Sequence, residues 1–123
     1  MLNLQDLCQV KDLMATVVRV EAALRKETGL NLNQSFALCC LRKGPLSAGA
    51  LAEELRIHGA SLSRVIKALT IKGYIDRDPS LGDSRLKLLR LTKEGEQVAR
   101  TLALCEGRLF PVAVVERVLA EIG

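Results

Sequence analysis

The chain has 123 residues, 49% of them hydrophobic but only 2% aromatic, and a formal net charge of +4. That length suits one domain able to bury roughly two-thirds of its unfolded surface, and a core without aromatics must be built from Leu, Val, Ile and Ala, which favours helices. Cys8, Cys39, Cys40 and Cys105 have neither the paired spacing of a zinc site nor the framework of a small secreted domain, so reduced thiols are expected and a structural metal is not.

From Leu4 to about Thr28 apolar positions recur at helical spacing, and Gly29 stands where a C-cap would end the run. Charges inside the first dozen residues exclude a signal peptide or membrane span there, which predicts a cytoplasmic protein. The stripe (Leu4, Leu7, Cys8, Met14, Val17, Val18, Leu24) is wider than one neighbour needs, and Val20, Ala22 and Ala23 extend it. A second subunit is the natural occupant of the excess.

Asn31 to Asn33 offer a cap for a short apolar helix containing Phe36, Ala37, Cys39, Cys40 and Leu41, which stops at Lys43-Gly44-Pro45. Ser47 opens another, with Leu51, Ala52 and Leu55 on one face. After a turn at Ile57-His58-Gly59, the next segment groups Leu62, Val65, Ile66 and Leu69 on one arc, with Ala60, Arg64, Lys67 and Ile71 opposite, and ends at Gly73. The period then moves towards two: residues 74–78 and 85–91 flank a Gly- and Pro-containing turn, which predicts a β-hairpin. Thr92 is a good N-cap for a helix running to about Cys105, and Pro111 can start a last one through Ile122.

Charge is unevenly placed. Between Arg56 and Lys93 nine basic residues face three acids, a local net of +6, and the rest of the chain nets −2. Such a block is the electrostatic footprint of a nucleic-acid face. Two short helices, a tight turn and a basic hairpin make a helix-turn-helix with a wing. On its second helix Ser61, Ser63, Arg64 and Lys67 project away from the apolar arc, and Arg64 has the fork that grips guanine bidentately. The only histidine, His58, is expected to cap that helix; no Cys or carboxylate beside it has ligand spacing. Nothing supports catalysis or a cofactor: no nucleophile is paired with a His base, and no glycine-rich phosphate loop occurs.

From Leu46 to Gly95 the sequence resembles the DNA-binding lobe of the MarR (multiple antibiotic resistance regulator) family. The residues that carry the likeness are Leu51–Leu55, the run from Ser63 through Lys72-Gly73-Tyr74-Ile75, the pair Asp83 and Arg85, and Leu91-Thr92 with Gly95. The flanking helices fit the same family. The resemblance implies a mainly α fold with a small β-hairpin wing: a winged helix-turn-helix lobe at 31–92 between dimerisation helices at 1–30 and 93–123. It places Ser61, Ser63 and Arg64 in the major groove and inserts Arg85 into the minor groove, with Asp83 as its brace, since a narrow minor groove attracts arginine; Lys87, in the same basic segment, is a further DNA-binding candidate. The implied protein is a homodimeric regulator, most often a repressor, on a pseudo-palindromic operator in double-stranded DNA. Any small-molecule effector would sit between the dimer helices and the winged lobe, or an oxidant would act in its place. The peroxide-sensing branch carries a reactive thiol near its N-terminus, but its partner tyrosines are absent, since Tyr74 lies on the wing; Cys8 is expected to be a buried structural thiol. The alternative is a winged-helix module that binds protein without DNA. Arg64, Lys67, Arg85 and Lys87 oppose it, while Ile71 and Leu86 leave it open.

Overall fold

The computed structural model describes residues 3–78, 88–109 and 120, with side chains in the last long helix as far as Leu102. Along the chain run α1 (Leu4–Thr28), α2 (Leu32–Arg42), β1 (Leu46–Ser47), α3 (Ala48–Leu55), α4 (Gly59–Ile71), β2 (Ile75–Asp78), β3 (Leu88–Leu91) and α5 (Lys93–Leu109). Two compact units result, one holding α1 and the chain from Cys105 onward, the other Leu30–Leu104.

The helices begin and end where local chemistry dictates. The Asn3 side chain accepts from the Asp6 N–H at 2.8 Å and the Asp6 carboxylate accepts from the Asn3 N–H at 3.2 Å, a reciprocal cap for α1. Asn31 and Gln34 repeat it on α2 at 2.8 and 3.1 Å. Ser47 caps α3 by accepting from the Ala50 N–H at 3.1 Å. His58 holds the N-cap position of α4, but its imidazole makes no capping bond, contrary to expectation; its carbonyl accepts from the N–H groups of Ser61 and Leu62 instead. The imidazole nitrogen is not brought within reach of the first-turn N–H groups, as the short Ser47 hydroxyl is.

Three helix ends turn through left-handed backbone: Gly29 (φ 74°), Gly73 (φ 78°) and Arg56 (φ 54°). After α3 the Arg56 N–H donates to the Glu53 carbonyl at 3.3 Å and the Ile57 N–H to the Ala52 carbonyl at 3.2 Å. This closure normally selects glycine, because a Cβ in that conformation costs roughly 1–2 kcal/mol.

The Leu30–Leu104 unit is the winged lobe. Its core is aliphatic: Leu30, Ala37, Leu38 and Leu41, then Leu51, Leu62, Val65 and Leu69, then Ile75, Leu89, Ala99 and Leu102. Burying a leucine fully stabilises by about 2 kcal/mol. Within α2 the buried residues are Ser35, Ala37, Leu38 and Leu41; Phe36 faces solvent and the two cysteines are half-buried. Thus Leu38, not Phe36, anchors α2, which packs on α3, α4 and β3.

β2 and β3 form the expected antiparallel hairpin, with Ile75 opposite Leu91 and Arg77 opposite Leu89. A two-residue strand the sequence did not announce, β1, pairs with the other edge of β3 through Leu46–Leu89 and Ser47–Leu88, so the sheet order is β1-β3-β2. The start of α5 is fastened to the end of α4: the Thr92 hydroxyl donates to the Gly73 carbonyl at 2.6 Å and accepts from the Gly95 N–H at 3.1 Å, and the Thr92 N–H donates to the Tyr74 carbonyl at 3.0 Å. Gly95 fits because a Cβ there would collide with the Tyr74 carbonyl oxygen and lie 2.8 Å from its carbon. The helix Thr92 opens runs to Leu109, past the expected end at Cys105. The helix expected from Pro111 to Ile122 lies outside the described residues, Ala120 excepted.

In α1, Asp6 and Val20 are buried, whereas Leu4, Leu7, Met14 and Val18 face solvent. Cys8 is exposed, which corrects the expectation of a buried thiol: it sits at the edge of that outer stripe. Among the described residues no helix is long and apolar enough to cross a membrane, and no three His, Cys, Asp or Glu side chains group as a metal site.

Candidate nucleic-acid interface

α4 is built to face two ways. Its 13 residues put Leu62, Val65 and Leu69 into the lobe and leave Ser61, Ser63, Arg64 and Lys67 exposed, together with Ile71. At 1.5 Å per residue the helix is about 20 Å long. The four residues read from the sequence share one side, yet they divide between its flanks. Ser61 and Arg64 line a shallow depression of about 160 Å³ with Asn31, Asn33 and Gln34, at the start of α2. Ser63 and Lys67 line another, of about 350 Å³, with Ile66, Thr70, Ile71 and Arg77.

Arg77 was counted in the basic block but not picked as a site residue. Strand alternation alone says only that Asp76 and Asp78 share one face of β2 and that Arg77 takes the other. That face carries it to α4, beside Ser63 and Lys67.

The second face of the hairpin has a different character. Arg90 on β3 donates through Nε to Asp76 at 2.8 Å and lies 3.4 Å from Asp78. The hydrogen bond and charge of Asp76, with a contribution from Asp78, hold its guanidinium above the ordinary arginine value. The charge of Arg90 is therefore balanced by carboxylates within the hairpin. By contrast, Arg56, Arg64, Lys67, Lys72 and Arg77 make no ion pair among the described residues. Asp83, Arg85 and Lys87 lie outside the described residues.

A cationic helix face on a winged lobe limits the families to consider. The MarR family model matches residues 30–87. The HTH-type transcriptional regulator YdgG of Bacillus subtilis is 31% identical over 111 residues, covering 82% of this chain and 73% of that protein. The chain belongs to the MarR family. An HTH-type transcriptional regulator of Mycobacterium leprae is 32% identical over 93 residues, 72% of this chain; the match spans 65% of that relative's length. Among solved structures, the reduced form of MarR from E. coli superimposes with a TM-score of 0.75 at 20% identity, covering 99% of this chain and 97% of that one. Streptococcus pneumoniae FabT in complex with DNA does so with a TM-score of 0.70 at 23% identity, covering 93% and 77%. The fold is thus the MarR-type winged helix, mostly helical with a small three-stranded antiparallel sheet.

Proposed function

We propose that this chain is a sequence-specific DNA-binding transcriptional regulator of the repressor kind, acting as a homodimer on a pseudo-palindromic operator. The observation that carries the reading is α4 itself: one face is sealed into the lobe, and the other presents serine hydroxyls and unpaired cations. A helix of that width fits the major groove, where Arg64 would read a base edge and Ser61, Ser63 and Lys67 would contact phosphates or neighbouring bases. Arg85 would enter the minor groove, braced by Asp83, with Lys87 on the backbone. FabT, of the same fold, has been crystallised with DNA. Residues 1–30 and 93–123 are assigned to dimerisation and 31–92 to DNA. The stripe of Leu4, Leu7, Met14 and Val18 is apolar surface that a second copy would cover. A small molecule or an oxidant would release the operator. Such a protein works in the cytoplasm and needs no catalytic group.

Fluorescence anisotropy on cognate and scrambled duplexes across a salt series tests this. Arg64→Ala is expected to cost about 1–3 kcal/mol on the operator and much less on scrambled DNA. Arg85→Ala should weaken both duplexes more evenly and flatten the salt dependence by roughly one unit of slope per contact, two for a dimer. If both variants bind both duplexes as the parent does, the chain is a protein-binding winged helix instead.

A further inference from the structure

The chain obeys a rule at its left-handed helix ends and breaks it once. Gly29 and Gly73 fill two of these positions; the third, in the turn between α3 and α4, holds Arg56, the one non-glycine residue with positive φ among those described. Glycine would satisfy both closing hydrogen bonds of that turn, which use backbone atoms only, with no steric penalty. A cation does gain from the carbonyl end of α3, but that attraction is weaker at an exposed site than the conformational cost it would offset. Arg56 is exposed, and its side chain has no hydrogen bond or ion pair among the described residues. The folded lobe therefore gives the side chain that carries the cost no polar partner to offset it.

Its position suggests what does. Arg56 stands two residues before His58, between the helix that crosses the DNA backbone and the end of α4 whose first residues meet the base edges in helix-turn-helix docking. From Glu53 to Gly59 the only other charged side chains are the exposed Glu53 and Glu54. Without Arg56 this turn would set two carboxylates and no cation beside a phosphodiester. No side chain caps α4, so its first turn is open to the same anion.

We infer that Arg56 binds a backbone phosphate of the DNA strand that flanks the major groove, and that the left-handed turn aims it there. The inference rests on the DNA-binding reading above and adds a contact blind to base identity. Its test pairs Arg56→Gly with Arg56→Lys, measured by thermal melting and by anisotropy on cognate and scrambled duplexes, with Arg64→Ala as the reference. Arg56→Gly should melt a few degrees higher than the parent. It should bind both duplexes roughly tenfold more weakly, with their ratio unchanged and the salt slope reduced by about two units for a dimer. Arg56→Lys, which keeps the charge, should recover most of the binding. Arg56→Gly that binds with parental affinity and slope, while Arg64→Ala loses the operator, overturns this assignment alone. Arg56→Gly that melts lower than the parent shows the side chain to be structural and overturns it too. A parent that binds neither duplex removes the DNA-binding reading and the phosphate contact with it.

Discussion

α1 and α4 carry the same signal in sequence and meet different fates. Both are helices with apolar residues at three- and four-residue spacing. In α4, Leu62, Val65 and Leu69 are 8%, 5% and 0% exposed, whereas the outer stripe of α1, Leu4, Leu7, Met14 and Val18, is 77%, 53%, 65% and 69% exposed. The reason lies in the width of the pattern. α4 buries one apolar arc in its own lobe, and the face left for a ligand is polar apart from Ile71, which is 75% exposed. α1 is apolar around most of its circumference: Val20 is buried on one side while the stripe remains on the other, more than one neighbour can cover. Periodicity declares a helix, and the breadth of the stripe declares how many partners it needs.

Three experiments would break or sharpen that contrast. The largest effect is expected at Leu69→Ala, which empties a fully buried site and should lower stability by about 3 kcal/mol in urea unfolding. A loss under 1 kcal/mol would mean that the inner face of α4 does not hold the lobe together. Next comes the outer stripe of α1. Met14→Ser with Val18→Ser should leave the stability of the winged lobe within about 0.5 kcal/mol, yet raise the dimer dissociation constant at least tenfold, or about 1.4 kcal/mol. Sedimentation equilibrium across protein concentration measures it, and an unchanged constant would place the dimer contact elsewhere. The smallest effect is kinetic. Cys8, at the edge of the stripe, should react freely with a thiol reagent in dilute protein and severalfold more slowly where the dimer forms, followed by mass spectrometry of the Cys8 peptide. A rate independent of concentration would show that this end of α1 stays open.

The candidate site divides along similar lines. Ser61, Ser63, Arg64 and Lys67 were legible because the apolar arc of α4 leaves one side to them, whatever the rest of the chain does. Arg77 was not singled out, because its place beside Ser63 and Lys67 depends on how β2 docks against α4. Arg90 looked like one more cation of the basic block until the register of β2 and β3 set it against Asp76 and Asp78. Arg56 was legible only as one cation of the basic block; what sets it apart is a backbone angle, which composition and spacing do not encode.

What the sequence determined by itself was everything governed by neighbours a few residues away. Helix periods, the caps at Asn31 and Ser47, the glycine stops at Gly29 and Gly73, and the change of period into the wing depend on i to i+4 chemistry, and each is written in the chain. Tertiary structure alone decided what depends on distant partners. Leu46 and Ser47 became a strand because β3, some 40 residues later, offered an open edge. Leu38 rather than Phe36 turned inward because the side of α2 that carries it is the one packed against α3, α4 and β3. Gly95 became irreplaceable because the Tyr74 carbonyl lies against it. Cys8 stayed outside because its side of α1 faces away from the buried residues Asp6 and Val20. Local preference acts on one stretch at a time, whereas burial is settled by competition among all surfaces for the same limited interior.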